Sequence, residues 1–301
     1  MRAVVTGGAG FIGSHLVDAL LGRGDEVHVV DNFATGRREN LNGAAQVHEH
    51  DIQQPLTSLF DEVRPERVFH LAAQADVGTS VEQPQLDASV NVLGTLHVLE
   101  GARPHGAVVV FTSTGGAIYG ECPEPAGEDA PREPLSPYGT SKLCGEEYLA
   151  TWNRLHGTRH VSLRLANVYG PRQLAKLEGG VVAIFMDRLR AGENGTIYGD
   201  GEQERDFVYV GDVVAALTAA ADATEAGTYN VGTAVATSVN KLWRLCAEAA
   251  GRGGEARHAE PRPGELRRSV LDASRARAAL GWEARTPLQQ GLRETWESQA
   301  G

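Results

Sequence analysis

The stretch RAVVTGGAGFIG, residues 2–13, joins a short β-branched run to three glycines with the spacing GxxGxxG. A strand that runs into such a turn and then into a helix is typical of dinucleotide-binding sites. Gly7, Gly10 and Gly13 have no side chains, so backbone N–H groups can approach a pyrophosphate at the helix N-terminus. Because the apolar residues that follow recur at helical spacing, the stretch predicts a dinucleotide site and not an ordinary turn.

Asp31 ends the next β-branched run, Glu26–Asp31. A carboxylate at this place accepts hydrogen bonds from the adenosine ribose hydroxyls and repels the 2′-phosphate of NADP. Arg37 and Arg38 in the following loop are an opposing signal, because each can contact a phosphate. Asp31 stands at the strand end itself, so NAD is the predicted cofactor.

Further candidate cofactor contacts follow the later strands. Asp51 and Ile52 come after the third strand, where they can meet the adenine, although a surface Asp is the alternative. The backbone of LAAQ, residues 71–74, is expected to pass close to the cofactor. Asn91 lies within an apolar helix face and is either a buried structural amide or a group on the cofactor side. The candidate cofactor-binding residues are Gly7, Gly10, Phe11, Ile12, Gly13, Asp31, Asn32, Thr35, Gly36, Asp51, Ile52, Leu71, Ala72, Ala73, Gln74, Asn91, Thr112, Tyr138 and Lys142.

β-Branched runs alternate with helical patterns through the first half of the chain, which predicts a parallel sheet with helices on both faces. The fold class is therefore α/β, a Rossmann-type doubly wound parallel sheet, joined to a smaller α/β substrate-binding lobe. The predicted strands of the sheet are Arg2–Thr6, Glu26–Asp31, Gln46–His50, Arg67–Ala73, Ala107–Thr114 and His160–Ala166.

The pattern changes after LRLANVYGPRQ, residues 163–173. From there we predict helices, short strands and a mostly helical C-terminal part that the segment EPRPGELRR interrupts. The predicted elements are helices at 179–190 and 212–221, a strand with a loop in 196–210, a strand at 228–232 and the helical part at 237–296. The predicted domains are an NAD-binding domain of 1–166 and 207–232 and a second lobe of 167–206 and 233–301.

Composition excludes several classes of partner. The chain has 301 residues and a formal net charge of −11, which argues against nucleic acid. Cys122, Cys144 and Cys246 lie far apart without a CxxC pair, which indicates reduced thiols and predicts neither a disulfide framework nor a metal site. The sequence enters a strand at once, without room for a signal peptide, and has no apolar run of about 18 residues. We therefore expect a cytoplasmic protein without a membrane partner.

Tyr138 and Lys142, in SPYGTSK, occupy positions i and i+4 of a helix predicted to open after Pro137. They share a helix face, so the phenol and the ammonium point the same way. An unperturbed Tyr has a pKa of about 10, and lowering it to about 7 takes roughly 4 kcal/mol. A nearby Lys and a positive nicotinamide ring are expected to supply this. A YxxxK pair is common by chance, but behind a dinucleotide turn it indicates hydride transfer at a carbon that bears a hydroxyl.

Together these features resemble the extended short-chain dehydrogenase/reductases, and within them the UDP-galactose 4-epimerase-like nucleotide-sugar epimerases. The resemblance runs from the first residues nearly to the last. It rests on the motifs VTGGAGFIGSHL, DNFATG, HLAAQ, SPYGTSK, LRLANVYGPRQ, GDGEQERDFVYVGDV, YNVG and RPGELRRSVLD, followed by ALGW.

The resemblance implies a tightly held NAD that is reduced and reoxidised within one turnover. Tyr138 would deprotonate the sugar 4-hydroxyl while hydride leaves the same carbon, with Lys142 as its catalytic partner. The 4-keto sugar would then turn about its diphosphate link and regain the hydride on its other face. The implied reaction is the 4-epimerisation of a UDP-hexose, either UDP-glucose and UDP-galactose or an N-acetylated analogue.

The resemblance also implies a set of substrate contacts. Asn167, Arg205 and Arg262 would hold the diphosphate, although an exposed Arg that serves solubility is the alternative for each Arg. Glu265 would meet the uridine ribose, and Tyr198 would lie by the uracil. The candidate substrate-binding residues are Thr114, Tyr138, Asn167, Val181, Val182, Tyr198, Arg205, Arg262 and Glu265.

The stretch FTSTGGAIYG, residues 111–120, ends the fifth strand with three hydroxyls. Similar proteins usually place Ser or Thr five residues before the final Gly, where this chain has Gly115. Thr114 is therefore the predicted catalytic hydroxyl that bonds the sugar 4-oxygen, provided that the loop shifts its register. Otherwise a water or Tyr138 alone must handle the proton. Thr112 and Ser113 are expected to serve the strand end and the nicotinamide side, although the alternative for either is a hydroxyl that satisfies backbone groups.

Four alternatives stay open at this point. Gly116 and Ala117 stand where nucleotide-sugar 4,6-dehydratases carry an Asp–Glu pair, which argues against that lyase reaction. Ser269 stands where relatives restricted to unsubstituted hexoses often have a large aromatic residue, which leaves room for a 2-acetamido group. A UDP-glucuronate 4-epimerase would run the same reaction with another sugar pocket. A non-catalytic NAD-binding scaffold would be expected to lack Tyr138 or Lys142.

A homodimer is expected because relatives often pair through two helices of the first domain. The predicted helix 138–157 is a candidate for that contact, through Leu143, Tyr148, Leu149 and Trp152. The same residues could equally face the protein's own sheet.

Overall fold

The computed structural model describes residues 1–175, 180–262 and 264–298. Its largest element is a parallel sheet of seven strands in the order β10-β6-β5-β4-β1-β2-β3. Helices cover both faces of this sheet, so the predicted α/β Rossmann-type fold is confirmed. The strands are β1 (Arg2–Thr6), β2 (Glu26–Asp31), β3 (Gln46–Glu49), β4 (Arg67–His70), β5 (Val108–Thr114), β6 (Val161–Leu165), β7 (Asn167–Tyr169), β8 (Thr196–Tyr198), β9 (Glu204–Tyr209), β10 (Gly227–Val231), β11 (Ala236–Ser238), β12 (Arg257–Ala259) and β13 (Arg268–Ser269).

The helices connect these strands and pack on both faces of the large sheet and around the smaller lobe. One turn of π-helix, Ser89–Leu93, separates two of them. The α-helices are α1 (Phe11–Gly22), α2 (Thr57–Val63), α3 (Val77–Glu82), α4 (Pro84–Ala88), α5 (Gly94–Ala102), α6 (Gly115–Ile118), α7 (Pro137–His156), α8 (Val181–Arg190), α9 (Val210–Ala221), α10 (Val239–Ala249), α11 (Ser274–Leu280) and α12 (Leu288–Ser298). None of the helices in these parts of the chain is long and apolar enough to cross a membrane.

The central strands are buried because helices pack on both faces of the sheet. All residues of β5 except the last are buried. On one face α1 and α9 share a core through Leu16 and Leu217. On the other face Phe60 of α2 and Leu149 of α7 pack with Phe111 of β5. Strands buried on both faces read as continuous apolar runs, and this is why the sequence identified them.

A second lobe surrounds a smaller sheet, in which β9 pairs with β7, β11 and β13. Its core contains Phe185, Met186, Leu242 and Trp243. Between β9 and β11 of this sheet the chain returns to the large sheet, where β10 pairs in parallel with β6. The predicted boundary at residue 207 falls inside β9, so the division of the chain into two domains stays a proposal.

The strand bounds differ from those predicted by a few residues. β4 ends at His70 and not at Ala73, because the amides of Ala72 and Gln74 donate to the side-chain oxygens of Thr6 and Asn91 and not to a strand backbone. The C-terminal part was expected to be mostly helical but also contains β11, β12 and β13. These strands have two or three residues each, too few to leave a periodic pattern. Gly179, where the helix 179–190 was predicted to begin, lies outside the described residues.

Candidate functional site

The glycine turn after β1 is shaped by close backbone contacts. Gly7 has a φ of +70°, and a Cβ added to it would lie 2.7 Å from the Ala72 nitrogen. A Cβ on Gly13 would lie 2.1 Å from the Gly7 carbonyl oxygen. Side chains are therefore excluded, and the N-terminus of α1 stands open beside the turn at the carboxyl end of β1. This cradle fits a dinucleotide pyrophosphate, as the sequence predicted.

Asp31 lies at the end of β2 next to this turn and is 7% exposed. Its carboxylate accepts hydrogen bonds from Ala9 N at 2.9 Å and Phe33 N at 2.8 Å, which fix its orientation. Arg37 pairs with Glu39, and Arg38 pairs with Glu49. Arg37 and Arg38 are therefore weak evidence for binding of the 2′-phosphate of NADP, because both cations already have carboxylate partners.

The other candidate cofactor residues cluster around the same strand ends. Asn32 Nδ2 donates to Asp51 Oδ2 at 2.9 Å, which links the loops after β2 and β3. A Cβ on Gly36 would lie 2.7 Å from Asp31 Oδ1, so glycine is required there. Ile52 is buried, and Thr35 is exposed. The structure thus gathers these residues along one edge of the sheet, and their contacts with a cofactor stay predictions.

Asn91 sits in the π-helical turn and joins three elements. Its Nδ2 donates to Ser141 Oγ at 3.0 Å and to Asp87 Oδ1 at 3.0 Å, and its Oδ1 accepts from Gln74 N at 2.9 Å. Of the two alternatives for Asn91, the structural amide is the one seen here. Asp87 is 1% exposed and was missed by the sequence reasoning. Its position four residues before Asn91, on the same helical face, was the available signal.

Tyr138 and Lys142 stand on α7 at the carboxyl end of β5. The Thr114 hydroxyl lies beside the Tyr138 phenol. Burial and the Asp87 carboxylate raise the pKa of Tyr138 to about 12, and Thr114 opposes this shift. Lys142 Nζ donates to the Thr112 carbonyl at 3.0 Å, and burial lowers its pKa to about 8. Among the protein's own groups, desolvation of the phenol therefore prevails, and the expected lowering of the Tyr138 pKa depends on the positive nicotinamide ring.

The hydroxyl in contact with Tyr138 is thus that of Thr114. A Cβ on Gly115 would lie 2.4 Å from Leu271 Cδ1, so a Ser or Thr side chain at that position would require the Leu271 side chain to move. A Cβ on Gly116 would instead lie 3.9 Å from both Thr114 Oγ1 and Asn167 Oδ1. A Cβ at Gly116 would therefore be in van der Waals contact with both residues, which places Gly116 between Thr114 and Asn167.

His70 lies beneath the site in a chain of hydrogen bonds. Thr6 Oγ1 accepts from Ala72 N at 3.2 Å and contacts His70 Nδ1 at 2.8 Å, and His70 Nε2 contacts Thr95 Oγ1 at 3.0 Å. Because Thr95 Oγ1 donates to the Asn91 carbonyl at 2.6 Å, it must accept from Nε2–H. The chain is thus satisfied by neutral His70, and burial and the Lys142 ammonium lower the pKa of His70 to about 3.

This arrangement makes stability depend on acidity. His70 takes up a proton near pH 6.5 when unfolded but near pH 3 when folded, so its contribution is complete above pH 6.5 and is lost as the pH falls. Between pH 7.5 and pH 5 we expect it to remove about 2 kcal/mol from the free energy of unfolding. Urea unfolding of the wild type and of His70→Gln at both pH values measures this, since the variant should lack that part of the decrease. Equal pH dependence in the two proteins would contradict the assignment.

Four of the predicted substrate residues form two contacting pairs. Arg205 NH2 lies 3.6 Å from Glu265 Oε1, and the Arg262 guanidinium stacks over the Tyr198 ring at 4.0 Å. Val182 is 2% exposed and packs in the core of the lobe, with Val181 partly buried beside it. Their roles toward a substrate stay predictions. No cluster of three metal-ligating side chains was found in the part of the chain that the structure describes.

The chain is similar to known epimerases along nearly its whole length. The profile of the NAD dependent epimerase/dehydratase family matches residues 3–232. The UDP-glucose 4-epimerase of Mycolicibacterium smegmatis is 45% identical over 99% of this chain and 98% of that protein. A UDP-glucose 4-epimerase structure with UDP-glucose from Thermotoga maritima has a TM-score of 0.97 and 46% identity, and covers 99% of this chain and 98% of that one. A Thermus thermophilus UDP-glucose 4-epimerase complex with NAD has a TM-score of 0.94 and 47% identity, with the same coverage of 99% and 98%.

Proposed function

Because the chain belongs to the NAD dependent epimerase/dehydratase family, we propose that it interconverts UDP-glucose and UDP-galactose by epimerisation at the sugar 4-position. It is an isomerase of the UDP-glucose 4-epimerase type, and its cofactor is NAD. The observation that carries this proposal is the position of Tyr138 at the carboxyl end of β5, with Thr114 beside it and Lys142 on the same helix. The glycine cradle lies at the same edge of the sheet, where ligands of such folds bind.

The catalytic step follows from this pair. NAD, when bound, supplies a hydride acceptor and a positive charge. Tyr138 Oη takes the proton of the sugar 4-hydroxyl and later returns it. Thr114 donates a hydrogen bond to the phenol oxygen, which favours the phenolate. Lys142 holds the backbone of Thr112 and adds a second positive charge to the site when it is protonated.

The absence of a side chain at Gly116 supports inversion at the 4-position. Hydride must leave one face of the sugar and return to the other, so the 4-keto sugar has to turn inside the pocket. Gly116 adds no side chain between Thr114 and Asn167 that would oppose this motion, and Arg205 and Arg262 would keep the diphosphate in position. Ser269 is small and lies opposite Arg205 in the paired strands, which supports acceptance of an N-acetylated sugar as well.

A panel of UDP-sugars tests the proposal. Purified protein without added NAD is incubated with UDP-glucose, UDP-galactose, UDP-N-acetylglucosamine or UDP-glucuronate, and the products are separated by chromatography. We expect conversion between UDP-glucose and UDP-galactose. Turnover of UDP-glucuronate alone would point to a glucuronate 4-epimerase, and a 4-keto-6-deoxy product would point to a dehydratase. NAD binding without any turnover would leave a non-catalytic scaffold as the function.

We also propose that the protein is a homodimer in the cytoplasm. Leu149 faces the protein's own core, but Leu155 of α7 is 68% exposed and Leu93 of the adjoining π-turn is 52% exposed. Light scattering should give about twice the chain mass of 32.1 kDa, and a monomer mass would contradict the dimer.

The three cysteines are free, which supports a reducing compartment, and cell fractionation checks this.

A further inference from the structure

A carboxylate of the large domain holds two backbone groups of the second lobe. Glu121 Oε2 accepts a hydrogen bond from Arg267 N at 2.7 Å, and its Oε1 accepts one from Arg268 N at 2.8 Å. Both are charge-assisted, and such bonds are stronger than bonds between neutral groups. Glu121 follows Gly120, which has a φ of +74° and no room for a side chain beside the Glu133 carbonyl. This turn directs Glu121 away from its own domain.

The segment that Glu121 holds carries the predicted nucleotide contacts. β13 begins at Arg268 and pairs with β9, so that Ser269 lies opposite Arg205. Glu265 and Arg262 precede β13 on the same segment. A second link runs in parallel with the first, because Ala126 N donates to the Val270 carbonyl at 2.9 Å. The segment is thus fixed to the large domain at two places, and Glu121 is the one beside the nucleotide residues.

Glu121 also acts on Arg205 through its charge. Burial lowers the pKa of Arg205, and the carboxylates of Glu265 and Glu121 oppose this shift. Arg205 NH1 donates to the Glu204 carbonyl at 2.8 Å, and its NH2 is 3.6 Å from Glu265. Since a guanidinium has five N–H donors, these contacts leave donors for an anionic ligand.

We propose that Glu121 is a positioning residue for the nucleotide half of the substrate. It fixes the backbone at residues 267–268 and thereby places Arg262 and Glu265 opposite Arg205 on either side of the diphosphate and ribose. The inference rests on the proposed function for the identity of the ligand. Because Glu121 touches neither Tyr138 nor Thr114, its loss should affect nucleotide binding and spare the chemical step.

The test compares Glu121→Gln with the matched control Glu147→Gln. Glu147, on α7, is also an exposed carboxylate and lies 2.7 Å from its partner Arg132. Its replacement by Gln changes the net charge by the same amount. The measurements are the Kd of UDP by calorimetry, KM and kcat for UDP-glucose, retained NAD and Tm. For Glu121→Gln we expect the Kd of UDP and the KM to rise roughly ten-fold, while kcat, NAD and Tm stay at the control values.

Other results would overturn the inference in distinguishable ways. If the Kd and KM of Glu121→Gln stay within about two-fold of the control, Glu121 has no positioning role. If Tm, the amount of retained NAD and kcat all fall in Glu121→Gln, Glu121 has a role in the fold instead. If the wild type itself binds no UDP, the proposed function fails and the inference fails with it. If the wild type binds UDP but converts no UDP-sugar, the Kd comparison still decides the role of Glu121.

Discussion

Tyr138→Phe is expected to lower kcat for 4-epimerisation by about 10³-fold, because general acid–base catalysis contributes 10²–10⁴-fold in enzymes. The variant removes one oxygen and keeps the aromatic ring, so packing at the start of α7 should persist. Tyr138 is the residue whose phenol contacts the Thr114 hydroxyl, and no other phenol is placed there by the described residues. Turnover of UDP-galactose at saturating substrate measures the effect.

Tyr148→Phe is the matched control for this substitution. Tyr148 stands on the same helix, with its ring packed edge-on to Trp152, and its loss of a hydroxyl should leave kcat unchanged. Retained NAD and Tm should be equal in the two variants and the wild type. A Tyr138→Phe protein that keeps more than about a tenth of its kcat would show that another group moves the proton.

Gly13→Ala is expected to abolish NAD binding and to lower the free energy of unfolding by about 3 kcal/mol, as overpacking in a rigid site does. The added Cβ would lie 2.1 Å from the Gly7 oxygen and 2.9 Å from the Gly8 Cα. Both neighbours are backbone atoms, so relief requires the turn itself to move and the cradle to change shape. Urea unfolding and an NAD titration followed by fluorescence measure the two effects.

Gly22→Ala, at the other end of α1, separates steric conflict from a general effect of replacing glycine. A Cβ on Gly22 would meet nothing within 4 Å. This control should bind NAD normally and gain about 0.5–1 kcal/mol of stability, because alanine is favoured over glycine in helices. If Gly13→Ala binds NAD as Gly22→Ala does, the steric account of the turn is wrong.

The parts of the fold that could be predicted from the sequence are those that depend on residues of a single strand or a single turn. β1 and β2 have the predicted bounds, because buried parallel strands are continuous apolar runs. The place of Asp31 beside the glycine turn followed from chain order alone. The close approach of the Leu271 side chain to Gly115, in contrast, involves residues far apart in the chain, and no local sequence pattern predicts it.

The same limit applies to the site. The Tyr138–Lys142 spacing was readable because both residues share one helix, but the raised pKa of Tyr138 depends on burial and on Asp87 from another helix. Glu121 escaped notice because its partners are backbone amides at Arg267 and Arg268, and a backbone donor leaves no signature in the side-chain sequence. Strands as short as β13 could not be predicted for a related reason, since two residues cannot show a period.

The order of strands has a consequence for the growing chain on the ribosome. β10 completes the large sheet beside β6, yet residues 166–226 must be made between them. At about 5–20 residues per second, this takes roughly 3–12 s, during which β6 has one open edge. An unpaired apolar strand is open to wrong pairing with other chains. We therefore expect synthesis speed and chaperone capture at this stage to affect the yield of native protein.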